Sequence, residues 1–336
     1  MLSKREDFQR VLNGRQVDFF VLQNSEMSVG LTNYGCRLVN IIVKGKDGKP
    51  VDVEIGYKTL DGYLSTDNCF GAIIGRYANR IYKGDLKIDG ITYTLPINNG
   101  INCLHGGVGF DKKVFQVVAQ SENSIQLALT DEDGSNGFPG TVEAKVTYTL
   151  TGKTLEMKFE ATTDKKTVIN MANHSYLNMN GSGNIDGHVL QIQSDEYLPL
   201  TPEFVPTGEF VKVAEDKIFD FNEEKKIGQD IHKEHEQLKL ASGYDHCYVL
   251  KKQKCGECGF AAKLVGDVSG IVLKVYTTQP GVQLYTDNFM PENFEIRTAV
   301  CLETQNYPDS PHHEEFPSVV LAPGAKYEHK CIYSFE

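Results

Sequence analysis

Apolar and polar residues alternate with a period of two through much of this chain. The pattern runs from Met27 to Leu31, from Ile125 to Leu129 and from Val142 to Leu150, and it resumes at Leu155. Because successive side chains of a strand point to opposite faces, this spacing predicts strands that each bury one face. Helical periodicity is scarce. The best helix candidate runs from Asp230 to Leu240, with Asp230 as its candidate N-cap.

Two segments predict tight β-hairpins. In the first, alternating residues end at Ile88, Asp89-Gly90 follows, and the alternation resumes at Ile91, a pattern that favours a type I′ turn. In the second, the turn is at Thr151-Gly152-Lys153. Many short strands with Gly, Asn and Asp turns indicate an all-β fold of large antiparallel sheets, a sandwich or a barrel. No linker or shift of composition divides the chain, so we expect one domain over 1–336.

Composition narrows the classes of partner. The 336 residues are 40% hydrophobic and 24% charged, with a formal net charge of -11. An acidic balance argues against nucleic acid and anionic membranes as partners, because both are negatively charged. The N-terminus has no apolar signal-peptide core and no run of about 18 apolar residues occurs, so we expect a cytoplasmic protein that does not enter a membrane.

The cysteines suggest reduced thiols rather than a disulfide framework. Eight are scattered along the chain, and no secretory signal accompanies them. Cys255 and Cys258 have the spacing of a metal or redox pair. A zinc site would need a second pair, and a redox motif would need a βαβ context. We therefore expect a plain hairpin loop there, and whether the pair has a function stays open.

The sequence contains no GxGxxG motif after a predicted strand and no GxxxxGK(S/T), HExxH or GxSxG motif. Their absence argues against nucleotide-dependent, zincin and serine-hydrolase chemistry. What remains is a set of polar residues in apolar or turn-rich settings. Glu303 follows the apolar run Ala299 to Leu302, so it is expected to be partly buried, with its pKa raised by burial and lowered by nearby cations. Such a carboxylate marks a functional site or a structural ion pair. His174, between asparagines, is either functional or a core histidine, and Asp245 is either functional or a turn residue.

Arg80 and His105 lie just outside the first hairpin, where loops present side chains to ligands. Gly106-Gly107 follows His105 directly. Two missing side chains next to an imidazole would let a small substrate approach the backbone closely. A histidine before two glycines is also an ordinary turn sequence, so both interpretations stay open here.

Taken together and in order, the segments around these residues resemble the galactose mutarotase (aldose 1-epimerase) family over nearly the whole chain. The resemblance is carried by Gly75-Arg76-Tyr77-Ala78-Asn79-Arg80-Ile81, Asn102-Cys103-Leu104-His105-Gly106-Gly107, Gly137-Phe138-Pro139-Gly140, Asn173-His174-Ser175-Tyr176, Gly243-Tyr244-Asp245-His246, Pro280-Gly281-Val282-Gln283-Leu284-Tyr285-Thr286, Cys301-Leu302-Glu303-Thr304-Gln305 and Leu321-Ala322-Pro323-Gly324.

The resemblance implies a galactose mutarotase-like supersandwich and a reaction on a free aldose that needs no metal or organic cofactor. Glu303 matches the general base of the family and His174 its general acid. The residues expected to hold the sugar are Arg80, His105, Asp245 and Gln283, with Asn79 and Tyr176 nearby. A monomer or weak homodimer is expected.

The chain departs from the usual family pattern at three positions. Leu177 stands where phenylalanine is usual, Cys247 where asparagine is frequent, and Asp287 where glycine is common. These departures bear on the shape of the pocket rim, and so on the preferred sugar.

Other functions compete with a mutarotase at this point. Glu303 and Asp245 could be the carboxylate pair of a glycosidase. An epimerase for hexose 6-phosphates would need further cations around the phosphate. A catalytically silent sugar-binding protein is also compatible with the fold, although such a protein has no need of an acid and a base. A metal site built from His105, His174 and Glu303 has no support from spacing.

Overall fold

The computed structural model of the chain describes residues 1–251, 257–289 and 295–336. Strands dominate these ranges, which confirms the all-β class. The α-helices are α1 (Leu60–Leu64) and α2 (Glu236–Ala241). Short 3-10 helices lie at Arg5–Asp7, Tyr82–Gly84, Phe110–Lys112, Ser135–Gly137, Ile227–Gln229 and Ser310–His312. Within the described ranges, no helix has the length and apolar content to cross a membrane.

The strands, in chain order, are β1 (Arg10–Leu12), β2 (Arg15–Val17), β3 (Phe19–Gln23), β4 (Ser28–Thr32), β5 (Arg37–Lys44), β6 (Pro50–Asp52), β7 (Glu54–Ile55), β8 (Ala72–Ile74), β9 (Arg80–Ile81), β10 (Asp85–Ile88), β11 (Ile91–Thr94), β12 (Cys103–Leu104), β13 (Gln116–Gln120), β14 (Ser124–Asp131), β15 (Val142–Thr151), β16 (Thr154–Thr163), β17 (Thr167–Val168), β18 (Ala172–His174), β19 (Tyr176–Leu177), β20 (Val189–Ile192), β21 (Ser194–Leu198), β22 (Val211–Lys212), β23 (Lys225–Lys226), β24 (Asp245–Leu250), β25 (Gly259–Val265), β26 (Val272–Thr277), β27 (Gly281–Tyr285), β28 (Cys301–Gln305), β29 (Val320–Leu321) and β30 (Tyr327–Phe335).

Three large sheets organise these strands. A nine-stranded sheet has the order β13-β14-β15-β16-β30-β26-β25-β20-β23, a five-stranded sheet the order β22-β21-β24-β27-β28, and a four-stranded sheet the order β3-β4-β5-β6. All neighbours within them are antiparallel, so the large antiparallel sheets predicted from the sequence are confirmed. Short two-stranded pairs, such as β9 with β12 and β8 with β18, connect the large sheets.

One hydrophobic core lies between the sheets. Val146 and Phe159 of the nine-stranded sheet belong to the same buried cluster as Leu31 of the four-stranded sheet and Leu284 of the five-stranded sheet. All four side chains are fully buried. The nine-stranded sheet therefore forms one layer of a sandwich and the two smaller sheets form the other, as expected for apolar faces that cover each other. That residues 1–336 make a single domain stays a prediction.

Both predicted hairpins are present. β10 and β11 pair with Ile88 opposite Ile91, and the turn residues Asp89 and Gly90 have φ values of 49° and 81°. Positive φ at both central positions is the type I′ geometry. In the second hairpin Thr151 pairs with Thr154. The described cysteines are free thiols, as predicted, whereas Cys255 lies outside the described residues.

The predicted start of the helix at Asp230 is wrong. Asp230 instead ends a 3-10 helix, and its carboxylate is 2.8 Å from Nζ of Lys225 and also pairs with Lys233. That carboxylate is therefore occupied by two cations and does not cap a helix. Helix α2 begins later, after His235, whose Nδ1 accepts a hydrogen bond of 3.2 Å from the backbone N–H of Gln237.

A buried arginine fixes the segment that leads to the first site residues. Nε of Arg76 donates to Oδ2 of Asp131 over 2.8 Å, and its Nη1 donates to the backbone oxygens of Pro139 and Gly140. Arg76 and Asp131 are 1% and 3% exposed. A bidentate, buried guanidinium binds its partners in a single orientation, so the residues that follow Arg76 have a defined position next to strand β14.

We predict that Arg76→Met destabilises the protein by about 3–5 kcal/mol, because it removes the guanidinium from Oδ2 of a buried carboxylate, which keeps Lys113 on Oδ1, and leaves the carbonyl groups of Pro139 and Gly140 without this donor. Urea unfolding followed by circular dichroism measures the change. Lys166→Met is the matched control: its partner Asp89 and Lys166 itself are about half exposed, and exposed pairs contribute about 0–1 kcal/mol. Equal losses in the two variants would contradict the role given to Arg76.

Candidate active site

The predicted site residues meet at one pocket with a volume of about 230 Å³. That is smaller than the roughly 300–1,000 Å³ of sites for drug-sized ligands, so it suits a single small polar molecule. Seven of the eight predicted side chains line it, namely Asn79, Arg80, His105, His174, Tyr176, Asp245 and Glu303. The eighth, Gln283, lies behind this wall.

The five-stranded sheet supplies Asp245, Gln283 and Glu303 from one face. Along β27 and β28, Leu284 and Leu302 point into the core. The residues that alternate with them therefore point to the opposite face. Gln283 and Glu303 are directly opposite each other in the ladder between these strands. The alternation of the sequence thus sets an apolar face toward the core and a polar face toward the pocket.

His174 faces Glu303 from strand β18, which packs against β28. Nε2 of His174 is 3.5 Å from Oε1 of Glu303, and the two residues are 6% and 2% exposed. Glu303 is therefore more deeply buried than the sequence predicted. The imidazole of His174 stacks on the ring of Tyr176, with centroids 5.1 Å apart and an interplanar angle of 21°. These contacts hold the imidazole of His174 and the carboxyl group of Glu303 at the upper limit of hydrogen-bond distance.

Arg80 reaches the pocket from strand β9, not from a loop, because it pairs with Leu104 of β12. Its Nε donates to Oδ1 of Asn99 over 3.0 Å, and its Nη1 is 3.8 Å from Oδ2 of Asp245. The second distance is too long for a hydrogen bond. The guanidinium is therefore an ion-pair partner of Asp245 with remaining donor capacity for hydroxyl groups of a ligand.

Asn79 and His105 are fixed to each other. The backbone N–H of Asn79 donates to Nδ1 of His105 over 3.2 Å, and the backbone N–H of His105 donates back to the carbonyl oxygen of Asn79 over 3.0 Å. Burial, with the charges of His174 and Arg80, lowers the pKa of His105 well below its usual value. A neutral imidazole that accepts at Nδ1 carries its proton on Nε2, so His105 can donate a hydrogen bond from Nε2.

Of the two interpretations left open for Gly106 and Gly107, the structure favours the turn. A Cβ atom on Gly106 would lie 2.7 Å from the carbonyl oxygen of Gly75, and one on Gly107 would lie 2.5 Å from Cγ of Pro96. Both glycines have φ near 77°, in the left-handed region. They are needed for close packing of the protein against itself, and neither lines the pocket.

Gln283 supports the pocket through Asp245. Its Nε2 donates to Oδ1 of Asp245 over 2.7 Å. Among the described residues, Oε1 of Gln283 and Oε2 of Glu303 are buried and have no hydrogen-bond partner. Nδ1 of His174 is a further buried atom without a partner among the described residues, so His174, Gln283 and Glu303 all retain hydrogen-bonding capacity.

Burial dominates the electrostatics of the acid/base pair. It raises the pKa of Glu303 well above its usual value; the charge of Asp245 adds to this and that of Arg80 opposes it. Burial also lowers the pKa of His174 to about 4. Both shifts disfavour the charged forms. Burial therefore favours a protonated carboxyl group on Glu303 beside a neutral imidazole on His174 over the ion pair.

Some of the pocket wall was not singled out from the sequence. It comprises Asp67, Asn68, Cys69, Asn99, Leu104, Tyr285 and Phe289. Tyr285 could have been found, because it lies two residues after Gln283 on the same strand face. Cys69 and Asn68 belong to an irregular loop with no periodic signal.

The three departures from the family pattern do not reach the wall. Leu177 lies in the core, and Cys247 is opposite Gln283 in the ladder between β24 and β27. Asp287 is buried, and its carboxylate accepts hydrogen bonds from the backbone N–H and the hydroxyl group of Thr298. An effect of these residues on the rim would therefore act through the neighbours that line it, and it stays a prediction. In the described part of the chain, His105, His174 and Glu303 do not form a metal-binding group.

Comparison with known proteins agrees with this architecture. The family profile described as aldose 1-epimerase matches residues 18–334. The chain is 40% identical over 333 residues to a galactose mutarotase of Homo sapiens, covering 96% of this chain and 95% of the relative. It is 36% identical over 324 residues to an aldose 1-epimerase of Escherichia coli, with 93% of each covered. A crystal structure of an aldose epimerase homologue from C. elegans superposes with a TM-score of 0.88 at 28% identity, covering 95% and 99% of the two chains.

The fold and the buried polar pocket define a member of the galactose mutarotase-like class of β-sandwich proteins. With the family profile matched over nearly its whole length, this chain belongs to the aldose 1-epimerase family.

We predict that Gln283→Leu lowers kcat/KM for an aldose by about 10- to 100-fold. It removes a hydrogen bond to a charged group, which contributes about 1.5–3 kcal/mol. The same loss raises the pKa of Asp245, because the amide of Gln283 lowers that pKa against the effect of burial. Carbon-13 NMR of the Asp245 carboxyl group measures the second effect. An unchanged pKa with reduced activity would show that Gln283 acts on something other than Asp245.

Proposed function

We propose that this protein interconverts the α and β anomers of free aldohexoses such as galactose and glucose, as an aldose 1-epimerase. The observation that carries the proposal is the pair His174 and Glu303, buried at 3.5 Å from each other in a pocket that suits one sugar. Family membership supports the same reaction.

The chemistry needs one base and one acid on different oxygens of the sugar. Glu303 takes the proton of the anomeric hydroxyl, and His174 donates a proton to the ring oxygen as the C1–O5 bond breaks. The resulting aldehyde turns about its C1–C2 bond. Ring closure on the other face returns the proton from the hydroxyl at C5 to His174 and delivers one from Glu303 to the new hydroxyl at C1. No net proton is gained or lost.

The pair holds the single proton that this cycle requires. Before sugar binds, the raised pKa of Glu303 and the lowered pKa of His174 favour the form in which that proton is on Glu303. For Glu303 to act as the base, the proton moves to His174 when sugar binds. Arg80 favours this transfer, because its charge lowers the pKa of Glu303. Arg80 therefore acts on the charge of the base as well as on the sugar.

The remaining residues hold the ring in register. Asp245 accepts hydrogen bonds from sugar hydroxyls, and Arg80 and Nε2 of His105 donate them. Asn79 and Gln283 fix His105 and Asp245 respectively. Directional donors and acceptors suit the hydroxyl groups of a sugar, and their fixed positions keep it in one orientation.

The pocket gives no support to a phosphorylated substrate. Among the described residues that line it, Arg80 is the one lysine or arginine, and Arg80 already faces Asp245. A phosphate would need further cations. We further propose that the protein acts in the cytoplasm as a monomer or weak homodimer.

We predict that Glu303→Gln lowers kcat by about 10²- to 10⁴-fold, which is the usual contribution of a general acid or base. Polarimetry on freshly dissolved α-D-galactose and α-D-glucose measures the rate. Glu143→Gln, on the exposed face of β15, is the control and is expected to match the parent. If folded Glu303→Gln accelerates mutarotation as fast as the parent, Glu303 is not the base.

We predict that the acid side of the pH profile of kcat/KM falls well below about pH 6.5, where an unperturbed histidine titrates. The pKa of His174 is lowered to about 4, so the pair takes a second proton only in more acidic solution, where Asp245 is neutralised as well. On the basic side, activity falls when Glu303, whose pKa is raised well above its usual value, loses its proton and the pair holds none. An acid-side loss of activity centred on pH 6.5 would contradict the lowered pKa of His174.

A further inference from the structure

Phe204 lies outside the pocket wall but contacts a residue of the pocket. The centre of the Arg80 guanidinium is 5.2 Å from the centroid of the Phe204 ring. A cation over an aromatic face within about 6 Å is attracted by the ring quadrupole. The half-buried ring of Phe204 therefore covers the side chain of Arg80, which faces Asp245 and lies beside Glu303.

The backbone of Phe204 is in an unusual conformation for its side chain. Its φ is 63°, in the left-handed region. Among the described non-glycine residues with positive φ, Phe204 is the one that carries a large apolar side chain. A bulky residue in this region is a true outlier and persists only where the surroundings enforce it. Such outliers cluster at functional sites.

The surroundings of Phe204 do enforce this conformation. Its backbone N–H donates to the carbonyl oxygen of Thr201 over 2.9 Å, and that of Thr201 donates to Val205 over 2.8 Å. The neighbouring carbonyl oxygen of Glu203 accepts from Nδ2 of Asn102 over 2.5 Å. Asn102 immediately precedes β12, the partner strand of Arg80. The loop of Phe204 and the strand of Arg80 are thus fixed to each other.

Arg80 needs such support, because its side chain is long and its polar anchors are few. Nε is held by Asn99, but the distance of 3.8 Å between Nη1 and Asp245 is longer than a hydrogen bond. Arginine also loses much rotamer entropy when it is fixed. A ring packed on one face of the guanidinium restricts its motion and leaves its N–H groups free to donate in the plane.

We propose that Phe204 is a positioning residue that holds the guanidinium of Arg80 in the orientation in which it binds the sugar. That the ligand is a sugar rests on the proposed function, whereas the contact between Phe204 and Arg80 does not. Phe204 does not touch the acid/base pair and acts through Arg80 alone.

The first test compares Phe204→Leu with Phe204→Tyr. Leucine keeps an apolar side chain in the loop but lacks an aromatic face, whereas tyrosine retains the face. NMR relaxation of the Arg80 Nε–Hε group reports its order on the picosecond to nanosecond timescale. We expect lower order in Phe204→Leu and parent-like order in Phe204→Tyr. Unchanged order in folded Phe204→Leu would overturn the proposal, whatever the activity.

The second test is kinetic. Losing the cation–π contact is expected to lower kcat/KM of Phe204→Leu by about 3- to 30-fold, chiefly through KM, with Phe204→Tyr close to the parent. In an Arg80→Met background, Phe204→Leu should change kcat/KM by less than about twofold, because coupled residues are not additive. The same fold loss in both backgrounds would show that Phe204 acts independently of Arg80.

Two further results separate this inference from the proposed function. If the parent protein does not accelerate mutarotation but Arg80 still loses order in Phe204→Leu, the reaction is wrong and the positioning is right. Asn13→Gly relaxes another left-handed residue, in the β1–β2 turn away from the pocket, and is expected to leave kcat and KM unchanged. A kinetic effect of Asn13→Gly equal to that of Phe204→Leu would attribute the loss to general destabilisation.

Discussion

The burial of a carboxyl group beside an imidazole is the constraint on which this site depends. Oε1 of Glu303 and Nε2 of His174 are 3.5 Å apart, and both residues are almost inaccessible to water. Desolvation acts in opposite directions on the two pKa values, so a single proton on the pair is the stable state. Ring opening and closing also require one proton that two groups share, since one oxygen of the sugar loses a proton while the other gains one.

The sandwich makes this burial possible. Strands β24, β27 and β28 present apolar residues to the core and polar residues to the pocket, so Asp245, Gln283 and Glu303 share one rigid face. The facing residues come from short strands and turns that are themselves constrained, with Asn79, His105 and Phe204 all in left-handed backbone conformations. Arg80 lies among these residues and is the cation that opposes the effect of burial on Glu303.

The sequence predicted the sheets well because alternation is a local property. Leu127 and Leu129 alternate with polar neighbours, and Asp89-Gly90 needs only its own two residues to form its turn. The start of α2 was wrong because Asp230 is occupied by Lys225 and Lys233, and the contact with Lys225 depends on a neighbouring strand. The role of Gly106 stayed undecided for a similar reason, since the backbone of Gly75, which approaches it closely, is distant in sequence. The site residues were found through a family resemblance. No local signal in the sequence gives their mutual distances, the position of Gln283 behind Asp245 or the contact of Phe204 with Arg80, because these depend on the tertiary structure.

The most direct test of the account is exchange NMR on equilibrated galactose and glucose, with methyl α-D-galactoside as a comparison. The account predicts faster exchange between the α and β anomeric signals of the free sugars at an unchanged anomer ratio. It predicts no exchange and no release of methanol from the methyl glycoside, whose anomeric oxygen carries no proton for Glu303 to remove. Unaccelerated exchange of both free sugars with folded protein, or methanol release, would contradict it.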